Sequence, residues 1–81
     1  MEKRTPEDTQ KLKKLGRKIV AFRKQKGYPN YEDFAYKKNI ARAQMGRYEN
    51  GESDIRYTTL LKVIQALGMT PAEFFSDDTG Q

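Results

Sequence analysis

The chain has 81 residues, enough for one small domain with a thin core, since a chain of this length buries only about 60% of the surface that its unfolded form exposes. It contains no cysteine and no histidine, which removes disulfides, thiol nucleophiles, the usual metal ligands and the commonest general base. No paired-carboxylate pattern stands in for them, so neither catalysis, a metal nor a cofactor is expected. The net charge of +5 is uneven, with ten basic against three acidic residues over 1–29, four against three over 30–51, and two against five over 52–81. A basic amino-terminal half set against an acidic tail suits a polyanion approached from one side, although a merely solvated lysine-rich surface would look the same by charge alone.

In chain order, Thr5-Pro6-Glu7-Asp8 predicts a helix start, with Thr5 as N-cap, Pro6 at the first helical position and Asp8 closing a capping box. Leu12, Leu15, Ile19 and Phe22 then recur at three- and four-residue steps, so one face is buried. Gly27 ends this helix and Pro29 prevents its continuation. Asn30 with Asp33 caps a second helix that runs to about Lys38, and the chain turns sharply at Asn39. A third helix, Arg42 to Asn50, stops at Gly51, and "ESDIRY" reads as a loop. Leu60, Leu61, Val63, Ile64 and Leu67 mark a fourth helix ended by Gly68. Thr70-Pro71-Ala72-Glu73 is a second capping box, opening a short fifth helix that carries Phe74 and Phe75. Two consecutive aromatics on one turn cannot both face one core, so one of them should stay partly exposed. Residues 76–81 read as a flexible polar tail. No strand pattern competes, and no apolar run approaches the roughly 18 residues of a membrane span, so the expectation is a soluble, cytoplasmic, all-α protein without a membrane partner.

The second helix, the turn at Asn39-Ile40 and the third helix make a helix-turn-helix. Two short helices that cross closely need a small residue, which Ala35 supplies, and the turn needs a residue tolerant of left-handed φ, which Asn39 is. Phe34, Ile40, Met45 and Tyr48 fill the inward positions. At about 100° per residue, Met45 and Tyr48 lie on one side of the third helix, with Arg42, Ala43, Gly46, Arg47 and Asn50 on the other. An ordinary solvated face would carry long polar helix formers, and a helix-interior glycine costs about 1 kcal/mol against alanine. Something must come close to this face.

These residues carry a resemblance. From Leu15 to Phe75, about three-quarters of the chain, the sequence is similar to the phage Cro/repressor-type (XRE-like) helix-turn-helix family. The similarity lies in "LGRKIVAFRKQKG", "NYEDFA", "RAQMGRYENG" and "TTLLKVIQALGMTPAEFF", most of all in "RYENG". It implies a five-helix repressor-like domain over residues 15–75, with 1–14 extending the first helix, and a third helix that lies in the major groove of double-stranded DNA. Small residues there let base edges approach and long donors reach down. On that basis Arg42 and Arg47 each take a guanine edge, Gln44 reaches from the flank toward adenine, Ala43 meets a thymine methyl, and Gly46 is clearance. Asn50, Asn30, Tyr31, Lys26 and the helix-four opening Tyr57-Thr58-Thr59 are the candidate contacts to the DNA backbone. Glu49 is expected to be structural, pairing with Arg23 of the first helix as an acidic residue does in relatives.

Departures from the family pattern carry expectations of their own. Lys38 stands where leucine is usual, so its stem should lie over the core with its ammonium in water. Tyr31 replaces a glutamine that touches the DNA backbone in relatives. Ala41 replaces a Ser/Thr N-cap at a cost of about 1 kcal/mol. The "GYPN" link is one residue longer than usual.

The leading functional reading is a sequence-specific regulator acting as a homodimer on DNA at the nucleoid. Helix five (Met69, Phe74, Phe75) is favoured as the dimer surface, with the long first helix as rival. An antitoxin-type or partner-protein module that uses the acidic tail or Phe74-Phe75 is the alternative. A nonspecific single-strand or RNA binder stacking bases on the tyrosines is the third.

Overall fold

Local capping starts three of the helices in the computed structural model, which describes residues 5–76. The Thr5 hydroxyl accepts from the Asp8 amide and opens α1 (Pro6–Gln25); Asn30 Oδ1 accepts from the Asp33 amide and opens α2 (Tyr31–Lys37). Thr70 and Glu73 form a reciprocal capping box at the start of α5 (Pro71–Phe75). The other two, α3 (Arg42–Asn50) and α4 (Tyr57–Ala66), begin at Ala41 and Arg56 with no side-chain cap. The loop before α4 therefore ends one residue earlier than "ESDIRY" suggests, and Tyr57 is helical. There is no strand among the described residues, so the fold is all-α with five helices. No helix among them is long and apolar enough to cross a membrane.

One core joins all five helices. Ile19 of α1, Phe34 and Ala35 of α2, Met45 and Tyr48 of α3, Leu60, Val63 and Ile64 of α4, Leu67 just beyond it and Phe74 of α5 are buried together. Each large apolar side chain so placed contributes roughly 1.5–3 kcal/mol. Leu15, Phe22, Tyr28, Ile40 and Met69 pack on the rim of this core. Phe74 and Phe75 divide as their adjacency requires: Phe74 is fully buried against Phe22, with ring centroids 5.5 Å apart, and Phe75 is left 36% exposed. Phe74 is therefore core, which corrects its expected place on a dimer surface. Lys38 is half-buried, with its ammonium 5.6 Å from the centroid of the Tyr28 ring, so its head rests on an aromatic face.

The backbones of α1 and α3 come into close contact. A Cβ on Gly16 would clash with the Glu49 carbonyl oxygen and stand 2.7 Å from that of Tyr48, so only a glycine lets the two backbones meet there. Gly51, at φ 70°, meets the α1 backbone at Lys13 in the same way. The first helix is continuous from Pro6, and its contact with α3 begins as early as Lys13. The tail at 77–81 lies outside the described residues.

Candidate nucleic-acid interface

The turn between α2 and α3 is held by backbone hydrogen bonds. Ile40 N–H donates to the Ala35 carbonyl at 2.8 Å, and Asn39 N–H donates to Tyr36 at 3.3 Å, the pattern of a helix terminated by one left-handed residue. That residue is Asn39, at φ 59°, where glycine is the usual occupant. Ala35 and Phe34 are fully buried, and so is Met45 on the inner side of α3. The far end of α3 is fixed by Arg23. Its Nε donates to Glu49 Oε2 at 2.7 Å and its Nη2 to Glu49 Oε1 at 3.1 Å, while Nη1 donates to the Tyr28 carbonyl at 2.6 Å. Both charged side chains are nearly buried, 5% and 7% exposed, so the pair is a bidentate internal clamp that joins α1, the α1–α2 link and α3.

With its inner side packed and its end clamped, α3 presents Arg42, Ala43, Arg47 and Asn50 to solvent. Gly46 is different. A Cβ there would stand 3.2 Å from Cε1, Cζ and Oη of Tyr31, so the ring of α2 lies over it and Gly46 is half-buried. The clearance expected for base edges is filled from within the protein, because tyrosine is far larger than the glutamine usual at that position. Gln44 also differs from expectation. Its Nε2 donates to the Tyr48 hydroxyl at 3.1 Å and its Oε1 accepts from Arg47 Nη1 at 3.2 Å, so both ends of the amide are engaged within α3.

The flanking residues divide by exposure. Tyr57 is 69% exposed and Thr58 exposed at the open amide end of α4, while Thr59 is half-buried. Lys26, at the carboxyl end of α1, is exposed. Asn30 is exposed too, but its side-chain oxygen is engaged in capping α2. Both helices that lack a side-chain cap leave first-turn N–H groups with no side-chain acceptor, and such groups with their dipole suit a phosphate. Among the described residues no group of His, Cys, Asp and Glu is placed to hold a metal ion.

A family model described as a Cro/C1-type HTH DNA-binding domain matches residues 18–80. The chain belongs to that family. No curated protein and no solved structure matches it. As a Cro/C1-type domain it is a DNA-binding, helix-turn-helix protein, and its α2–turn–α3 unit is the motif that the family is named for.

Three features of this Cro/C1-type domain escape a reading by motif. Gly16 sets the distance from α1 to α3, the Tyr28 carbonyl is a third partner for Arg23, and Tyr48 uses its hydroxyl as well as its ring. A trace of the first was available: Leu12, Gly16, Ile19 and Arg23 recur at four-, three- and four-residue steps and so share one stripe of α1.

Proposed function

We propose that this domain is a sequence-specific regulator that reads the major groove of duplex DNA with α3, as a homodimer. The observation that carries the reading is the pair of exposed guanidiniums, Arg42 and Arg47, on the solvent side of a helix whose other side is core and whose end is held by the Arg23–Glu49 clamp. Five residues of helix separate the two arginines by about 7.5 Å along the axis. That is roughly two base-pair steps of 3.4 Å, so each can make a bidentate contact to its own guanine. Ala43 lies between them in sequence, exposed and small enough to meet a thymine methyl. Asn50, Lys26, Asn30, Tyr31 and the α4 opening Tyr57-Thr58-Thr59 take the backbone, where charge and N–H groups position a protein without choosing a sequence.

One helix in one groove touches only a few base pairs, so useful selectivity calls for a second reader one helical turn, about 34 Å, away. Phe75, left exposed beside Leu15 and Leu60, and Met69 are the apolar groups near α5 that would meet a second copy. The partner-protein alternative loses support from Phe74, which is buried.

Selection of bound sites from random duplex DNA tests the reading. A motif with dyad symmetry is the expected result. Arg42→Ala should lose about 1–3 kcal/mol on the best site and relax preference at one base pair, with folding unchanged. Equal recovery of all sequences would leave a nonspecific binder instead.

A further inference from the structure

A short relay of hydrogen bonds runs from the core of the protein to the exposed face of α3. Tyr48 is buried, 8% exposed, with its ring among the core side chains, yet its hydroxyl accepts from Gln44 Nε2 at 3.1 Å. Gln44 is half-buried, and its Oε1 in turn accepts from Nη1 of the exposed Arg47 at 3.2 Å. From these contacts we infer that Gln44 and Tyr48 are positioning residues for Arg47, and that Gln44 acts on base choice through Arg47 rather than by reading a base itself. The inference rests on the proposal that α3 is the reading helix.

The chemistry of the three groups fixes the direction of the relay. A guanidinium carries only donors, so Arg47 holds the Gln44 amide with its oxygen outward. The amide nitrogen is then turned to the buried Tyr48, whose hydroxyl accepts from it. Phenylalanine at 48 would keep the ring in the core but leave that nitrogen without its partner, so the amide, tied only through its oxygen, would restrict Arg47 less. A long flexible side chain that meets a base edge from many rotamers loses more freedom on binding than one already restricted. Holding it in advance improves both affinity and discrimination at its own base pair only. Residues that merely support the fold would weaken every sequence alike.

The full chain and its Tyr48→Phe, Gln44→Ala and Arg47→Ala variants are titrated against the duplex that the parent protein selects and against duplexes that each differ from it at one base pair, over a salt series. Arg47→Ala should abolish the preference at one pair. Tyr48→Phe and Gln44→Ala should each cut the preference at that same pair by about threefold to tenfold, the range expected for freeing one rotamer-rich side chain. Other pairs and the salt slope should stay at parental values, and neither change should add anything to Arg47→Ala. A pair relaxed by Arg47→Ala but left sharp by both of the others overturns the relay while α3 stands as the reader. A uniform loss over all duplexes overturns it too, as does a second pair relaxed by Gln44→Ala that persists in the Arg47→Ala background and so marks direct reading. Gln44→Ala, a change to a strong helix former, decides the matter if Tyr48→Phe does not fold. If Arg47→Ala alters no pair the relay falls, and only if Arg42→Ala alters none either does the reading by α3 fail with it.

Discussion

At the scale of the residue, Gly46 shows how one atom divides two neighbours. Alanine is favoured over glycine in a helix interior by about 1 kcal/mol, so Gly46→Ala would stabilise an open helix face. Here the new Cβ would stand 3.2 Å from three atoms of the Tyr31 ring, tighter than ordinary contact, and the ring would have to give. Gly46→Ala should therefore bring little or no gain in the parent protein, and a gain of about 1 kcal/mol once Tyr31→Ala has emptied the space. Urea unfolding of the four members of this cycle measures the difference. Equal effects of Gly46→Ala in both backgrounds would separate Tyr31 from α3.

At the scale of the element, the position of α3 depends on two contacts with α1, an ion pair and a close approach of the backbones. The Arg23–Glu49 pair is almost free of solvent, so removing one partner strands a buried charge. Glu49→Ala should cost about 3–5 kcal/mol, well beyond the 0–1 kcal/mol of a surface pair, whereas replacing both residues by apolar side chains of similar volume should cost less than either single change. Denaturant midpoints of the single and double variants test the order. Gly16 is the steric counterpart. The atoms that a Cβ would meet are backbone atoms of Tyr48 and Glu49, which cannot swing aside as a side-chain tip can. Gly16→Ala should push α1 off α3 and cost about 1–3 kcal/mol or more despite the better helix propensity of alanine, read as a lowered midpoint at unchanged slope.

At the scale of the whole molecule, affinity for DNA follows the charge, which is strongly positive over residues 1–29 and negative over 52–81. Neutralising about five phosphates should make log K fall with log[salt] at a slope near −4.5, and a flat salt dependence would remove duplex DNA as the partner. Oligomeric state is the second molecular property. Sedimentation with an isolated half-site and with a full palindrome should show one copy on the first and two on the second, with higher affinity for the palindrome. Single copies on both, without that gain, would assign the protein to a monomer. Phe75→Ser should weaken the two-copy complex and leave half-site binding unchanged, since Phe75 lies 36% exposed beside α1 and α4, outside the α3 face.

Much of the fold is legible in the sequence because its signals are local. Thr5, Asn30 and the Thr70-Glu73 box act within three residues of themselves, and Asn39 and Gly51 end α2 and α3 through their own φ. The Arg23–Glu49 pair was legible by family resemblance alone, since 26 residues of chain separate the partners. The sequence by itself determined the helices, the apolar stripes and the motif. Tertiary structure decided the rest. Whether Phe74 or Phe75 turns inward depends on where Phe22 stands, whether Gly46 faces a ligand or a ring depends on how α2 lies across α3, and Gly16 reads as a weak point in a helix until α3 is brought against it. Each of these is a distance between elements, and no propensity or spacing within one element contains it.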